Sequence, residues 1–121
     1  MSIPNEALQK LALEIESQAL TAQRGINNVK TAMAAKQRDV RMLELTSSEV
    51  RSLDKDTKFY QGVGKMFVFS PKEDVEKRLS SETGELKSEI SNLTKKLHYL
   101  ETTQKNSREH IDKIMQSGGR S

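Results

Sequence analysis

The chain has 121 residues, of which 34% are apolar, 31% are charged and only 4% are aromatic. So little large apolar material suffices for one domain but not for the thick core of a compact enzyme. The net charge is +3, the two signs are interspersed, and no run of five basic residues occurs, so no nucleic-acid partner is expected. This composition favours long helices that bury one narrow stripe and keep a charged surface.

Several site chemistries are excluded or disfavoured by residue type. The chain has no cysteine, which excludes disulfides and cysteine metal sites, and His98 and His110 are too far apart to lie on neighbouring helical turns. Polar and charged residues interrupt the first 20 positions, so neither a signal peptide nor a membrane span is expected. We therefore predict no cofactor, no metal and no membrane partner. We also predict a cytoplasmic location, and the sequence is equally compatible with an additional nuclear pool.

The first part of the chain carries a coiled-coil pattern. Its apolar or small residues recur mainly at spacings of three and four, which predicts a helix over residues 5–45. A hydroxyl three residues before a glutamate, in Thr46-Ser47-Ser48-Glu49, forms a capping-box signal and predicts a separate short helix over 47–55. The seam residues are Leu8, Leu11, Ile15, Ala19, Ala22, Ile26, Val29, Met33, Val40 and Leu43.

A second periodic stretch of similar length predicts a helix over residues 71–116, followed by a tail at 117–121. Ser70, Pro71 and Glu73 supply an N-cap hydroxyl, a first-turn proline and a capping acid in order. Polar Gln104 and Ser107 occupy seam positions near its end. Because the two helices are about equally long, we expect them to fold back as an antiparallel pair. The apolar seam residues are Val75, Leu79, Leu86, Ile90, Leu93, Leu97, Leu100, Ile111 and Ile114.

The segment between the helices concentrates most of the aromatic residues and predicts a β-hairpin within 58–70. Gly62 and Gly64 are expected to supply positive φ angles at a tight connection. An isolated hairpin is marginally stable, and two thin helices cannot cover both of its faces. We therefore predict that the hairpin is an assembly element that pairs with other chains. The predicted assembly residues are Phe59, Tyr60, Val63, Met66, Phe67, Val68 and Phe69.

These segments together resemble a known family. The run from Tyr60 to Val68, the cap Ser70-Pro71-Lys72-Glu73 and the later Tyr99-Leu100-Glu101-Thr102 are similar to the β-class subunits of prefoldin. The resemblance covers nearly the whole chain as a single domain, 1–121. It implies a mainly α fold, a long antiparallel coiled-coil hairpin with one β-hairpin between its helices, since the α class carries two β-hairpins.

The resemblance also implies a function. Prefoldin is a hexamer of two α-type and four β-type subunits, joined through their hairpins into a β-barrel platform. It binds unfolded or nascent proteins of the actin and tubulin class without ATP and delivers them to the cytosolic group II chaperonin. The implied partners are thus other prefoldin subunits, nonnative client proteins and the chaperonin, and the chain is not expected to be an enzyme.

Antiparallel geometry brings the start of the first helix and the end of the second together at a tip. The candidate client-binding residues there could instead simply hold the coiled coil closed, because most of them keep its spacing. Met115 suits a promiscuous surface because its side chain is flexible and polarisable. These residues are Ile3, Leu8, Leu11, Ile111, Ile114 and Met115.

Two other classes of function would account for parts of the sequence. A coiled-coil tethering or SNARE-like assembly protein would account for the heptad spacing but predicts no aromatic strand segment. An enzyme or enzyme regulator would need a concave polar site, and no catalytic grouping is visible in the sequence. The segment 62–64 has two glycines spaced as in a dinucleotide loop, but Phe67 stands in place of the third. The hairpin segment therefore distinguishes a prefoldin-like subunit from a coiled-coil tether and from an enzyme.

Overall fold

The computed structural model describes residues 5–118, which form two long helices joined by a two-stranded hairpin. Helix α1 spans Asn5–Ser52, strand β1 spans Phe59–Val63, strand β2 spans Met66–Ser70 and helix α2 spans Lys72–Gly118. The two strands pair antiparallel. The predicted fold class, mainly α with a single β-hairpin between two long helices, is confirmed.

The described residues fall into two compact units, each containing a segment of both helices. Residues 5–32 and 93–118 form the terminal unit, and residues 33–92, which include the strands, form the hairpin unit. Within each unit α1 and α2 run antiparallel and bury one stripe of each helix between them.

The hairpin unit is held by a small apolar core. Val50, Val75 and Leu79 are buried together, and Leu43 and Phe59 pack against them while remaining partly exposed. Val50 and Leu43 lie seven residues apart on α1, as do seam positions one heptad apart in a coiled coil. The core therefore joins the end of α1, the start of α2 and the first residue of β1.

Two solvated ion pairs also bridge the helices of the hairpin unit. Lys36 Nζ lies 2.6 Å from Glu89 Oε2, and Lys87 Nζ lies 3.3 Å from Glu44 Oε1. Exposed pairs of this kind contribute at most about 1 kcal/mol each. The unit is therefore stabilised mainly by its apolar seam.

The terminal unit has a partly polar seam. On α1 the residues Ile15, Ala22, Ile26 and Val29 are buried. Opposite them, Ser107 is buried at a predicted polar seam position. At the other such position, the Gln104 amide donates a hydrogen bond to the Gln23 side-chain carbonyl across the helices. This pairing removes most of the cost of placing an amide in the seam.

The predicted helix break at residues 46–49 is wrong, because α1 continues without interruption to Ser52. Thr46 Oγ1 donates to the carbonyl of Met42 at 2.9 Å, so the hydroxyl bonds back within the helix and does not cap a new one. The buried Val50 continues the α1 seam through the same region. The separate short helix over 47–55 is therefore the final part of α1 plus the connection that follows.

The bounds of α2 differ slightly from the prediction. The helix begins at Lys72, and its first hydrogen bond runs from the Val75 amide to the carbonyl of Pro71 at 3.1 Å. Pro71 thus precedes the helix, where its missing N–H is not needed. The helix continues to Gly118, two residues beyond the predicted end, and the rest of the predicted tail lies outside the described residues.

Two glycines inside the helices should respond differently to alanine. A Cβ at Gly84 would meet nothing within 4 Å, whereas a Cβ at Gly25 would lie 3.1 Å from Leu100 Cδ1. Gly84→Ala should raise the free energy of unfolding by about 1 kcal/mol through helix propensity. Gly25→Ala should gain less, because Leu100 must give way. Urea unfolding of the purified chain, followed by far-UV circular dichroism, measures both, and an equal gain at the two positions would contradict the close packing at Gly25.

Candidate functional site

The hairpin turns tightly between paired residues Val63 and Met66. Its two-residue turn contains Gly64, whose φ is 62°, and no other residue there has a positive φ. A positive φ at the first turn position alone is typical of a type II′ turn, which matches the twist of the flanking strands. The prediction that Gly62 also needs a positive φ is wrong. Gly62 instead lies opposite Phe67, and a Cβ there would lie 3.8 Å from the Phe67 ring.

One face of the hairpin is aromatic. Tyr60 pairs with Phe69, and Gly62 pairs with Phe67, so all three rings lie on the same side of the two strands. The Tyr60 and Phe69 rings meet edge to face with their centroids 6.1 Å apart. All three rings are exposed, and Phe67 leaves 77% of its surface open to solvent. This face is a large apolar surface that the chain itself does not cover.

The opposite face of the hairpin is mainly aliphatic, and its residues are not all equally exposed. Val63, Met66 and Val68 are exposed on it, so the strands are uncovered on both sides. Phe59 is different, because it is half-buried against the core that Val50 helps to form. Phe59 therefore anchors β1 to the helices of its own chain, and its predicted contact with other chains stays a prediction.

The uncovered hairpin favours contact with other chains. A two-stranded sheet with both faces apolar and both edges unpaired is marginal in water and favours pairing with further strands. Within residues 5–118 no group of acidic or histidine side chains is placed to hold a metal ion. Over the same range, neither helix has a stretch apolar enough to cross a membrane. The apolar faces and unpaired edges of the hairpin are features on which another protein can pack.

A second apolar surface lies in the terminal unit, where the start of α1 meets the end of α2. It is a shallow groove, and its most exposed large apolar members are Leu13 and Met115, with 65% and 67% of their surfaces open. A shallow, open and mainly apolar surface suits a segment of polypeptide better than a small polar ligand. The groove is lined by Asn5, Leu8, Gln9, Ala12, Leu13, Glu16, Ile114 and Met115.

The predicted tip residues are placed unequally in relation to this groove. Leu8, Ile114 and Met115 line it, whereas Leu11 and Ile111 are not among its lining residues. Ile3 lies outside the described residues. Leu13 was not among the predicted tip residues, because it lies off the seam spacing of α1. The signal that could have indicated it is a large apolar residue on the side of the helix away from the seam.

The chain was compared with known proteins. Residues 13–118 match the family model described as prefoldin subunit. Probable prefoldin subunit 1 of Schizosaccharomyces pombe is 34% identical over 110 residues, which cover 91% of this chain and 98% of that one. Human prefoldin subunit 1 is 25% identical over 108 residues, covering 89% and 88%. The crystal structure of the prefoldin beta subunit from Thermococcus strain KS-1 is similar over 99% of this chain and 97% of that one, with 23% identity and a TM-score of 0.49.

The family match and the Schizosaccharomyces pombe relative assign the chain to a class of chaperone subunits. The family match covers most of the sequence, and the chain belongs to the prefoldin subunit family. The resemblance seen in the sequence is thereby confirmed. Prefoldin subunits are co-chaperones and not enzymes, and they assemble with other prefoldin subunits.

Proposed function

We propose that this chain is a β-type subunit of a hexameric prefoldin co-chaperone that holds unfolded or nascent proteins without ATP. The observation that carries the proposal is the hairpin, which is apolar and uncovered on both faces in a chain of the prefoldin family. The clients are nonnative proteins of the actin and tubulin class, and the receiving machine is the cytosolic group II chaperonin. The complex acts in the cytoplasm, with room for a nuclear pool.

Assembly proceeds through the hairpin. Strand pairing with the hairpins of neighbouring subunits satisfies the free backbone groups at its edges and removes its rings from water. Burying one large side chain contributes about 1.5 to 3 kcal/mol, and several such side chains are available here. Tyr60, Phe67 and Phe69 supply the aromatic face of the contact, and Val63, Met66 and Val68 supply the aliphatic one. Phe59 holds the hairpin on its own helices.

Client capture proceeds through the groove in the terminal unit. Leu13 and Met115 present exposed apolar surface, and the flexible Met115 side chain adapts to clients of different sequence. Leu8 and Ile114, which are partly buried, also line the groove. One such groove binds weakly, but several arms in one complex hold a client at high effective concentration. Capture of this kind needs no nucleotide, because burial of apolar surface drives it.

An aggregation assay with the reconstituted complex tests this function. The complex containing the chain should suppress the aggregation of denatured actin at near-stoichiometric amounts, with or without ATP. Addition of the group II chaperonin and ATP should then release folded actin. A complex that fails to suppress aggregation, or that does so only with ATP, would contradict the proposal.

A further inference from the structure

The first residue of α2 is a lysine, which is unfavourable for the helix itself. The amino end of a helix carries partial positive charge, so acidic side chains are favoured there and a cation is disfavoured. Glu73 and Asp74 follow this rule, whereas Lys72 does not. The Lys72 side chain is also only 19% exposed, compared with 33% for Lys36 and 61% for Lys87. A half-buried cation at this end of a helix indicates a partner outside α2.

That partner lies at the end of the other helix. Lys72 Nζ donates a hydrogen bond of 2.7 Å to the main-chain carbonyl of Leu53, the residue that follows the end of α1 at Ser52. The carboxyl end of a helix carries partial negative charge, so an ammonium group is favoured there. Glu76 lies 4.0 Å from the same Nζ, which is too far for a hydrogen bond. Lys72 therefore joins the start of α2 to the end of α1.

This hydrogen bond restrains the connection from which the hairpin starts. Residues 53–58 connect α1 to β1, and most of them are exposed, so few packing contacts hold them. Inside the connection, one backbone hydrogen bond of 3.0 Å closes a local turn. The contact between Lys72 and Leu53 ties the start of the connection to α2, and the Phe59 ring ties its end to the core. The connection is therefore held at both ends.

We propose that Lys72 is a positioning residue for assembly, whose ammonium group holds the connection at residues 53–58 so that the hairpin is presented in one orientation. The inference rests on the proposed function, in which the hairpin joins the subunits, and it identifies a group that prepares the hairpin for that contact. A binding element that is already ordered in its bound orientation loses less conformational entropy on association. The Lys72 contact supplies this order before the neighbouring subunits bind.

A titration of the complete chain against its partner subunits tests the role of Lys72. Lys72→Met keeps an unbranched side chain and removes the ammonium group. The chain concentration for half-maximal assembly, measured by native mass spectrometry, should rise roughly five- to tenfold, because fewer chains hold the hairpin in the competent orientation. The control is Lys77→Met, which removes an exposed lysine from the same helix and should stay within about twofold of wild type.

Hydrogen exchange in the free chain separates positioning from two other roles. In Lys72→Met, the hydrogen-bonded amides of Leu53 and Thr57 should exchange faster than in wild type, while the amide of Leu79 in α2 keeps its protection. Weaker assembly with unchanged exchange at Leu53 and Thr57 would mean that Lys72 contacts another subunit directly, and it would overturn the inference. Equal loss of protection at Leu79 would show a general structural role and would also overturn it.

The outcomes also distinguish this inference from the proposed function. If Phe67→Asp blocks assembly and Lys72→Met assembles within about twofold of wild type, positioning by Lys72 is wrong and the hairpin proposal stands. If Phe67→Asp assembles normally, the hairpin proposal fails and this inference fails with it. Equal weakening by Lys72→Met and Lys77→Met would attribute the effect to lost positive charge alone, which would overturn the inference.

Two further variants cover the case in which Lys72→Met does not fold. Lys72→Arg keeps the positive charge and the N–H donors, whereas the side chain of Lys72→Gln is uncharged and one bond shorter. The arginine variant should assemble as wild type does, and the glutamine variant should need a higher chain concentration. Equal assembly by these two variants would contradict a positioning role for the ammonium group.

Discussion

Phe67→Asp should prevent the chain from entering the prefoldin complex while α1 and α2 remain folded. Phe67 leaves 77% of its surface exposed in the isolated chain, so the substitution removes no contact that holds the helices. In the complex, its burial contributes about 2 to 3 kcal/mol. An unpaired carboxylate buried at the same place costs several kcal/mol more. The combined loss exceeds about 5 kcal/mol, which is more than a thousandfold in affinity.

Co-expression with the partner subunits, followed by size-exclusion chromatography, measures this loss. Tyr99→Asp is the matched control, since it also replaces an exposed aromatic residue with aspartate, but on α2 and outside the hairpin. The control should co-elute with the complex, and both variants should keep their helical circular dichroism. Normal co-elution of the Phe67 variant would show that the hairpin is not the assembly surface.

Leu13→Ser combined with Met115→Ser should weaken client capture without changing assembly. Both side chains line the groove and are mostly exposed, so their replacement should change stability by less than about 0.5 kcal/mol each. If each contributes roughly 1 kcal/mol to binding an apolar client segment, the pair contributes about 2 kcal/mol. A client held mainly by this arm should then bind roughly thirtyfold more weakly.

The affinity of the complex for a labelled nonnative client measures this effect. The control is Leu20→Ser with Tyr99→Ser, which removes one exposed apolar side chain from each helix of the same unit outside the groove. The control complex should bind clients as the wild type does. Equal weakening by the two double variants would mean that the groove has no special role in capture.

The helices and the hairpin could be predicted because their signals repeat or concentrate. Spacings of three and four define both seams, and the buried Ile15, Val29 and Leu79 lie on them. The aromatic run around Phe67 and the turn at Gly64 mark the hairpin. Each of these features depends on several residues that agree, so a single misleading position does not hide it.

The features that the sequence did not predict each depend on a single side chain. The local sequence around that side chain is compatible with two different structures. The Thr46 hydroxyl can cap a new helix or bond back to the preceding turn of the same helix. The burial of Val50, which continues the seam, is what distinguishes the second case from the first. Phe59 belongs to the aromatic run, yet it lies at the one strand position that reaches the core of its own chain. Leu13 is off the seam, and periodicity does not distinguish a binding residue from a stray apolar one.

Native mass spectrometry of the chain, purified from its own cells through a mild affinity tag, measures the composition of the complex directly. We predict a complex of six chains in which the other members are also prefoldin subunits, two of them α-type. A homodimer of this chain, or a complex without other prefoldin subunits, would contradict it and leave the exposed hairpin without a partner.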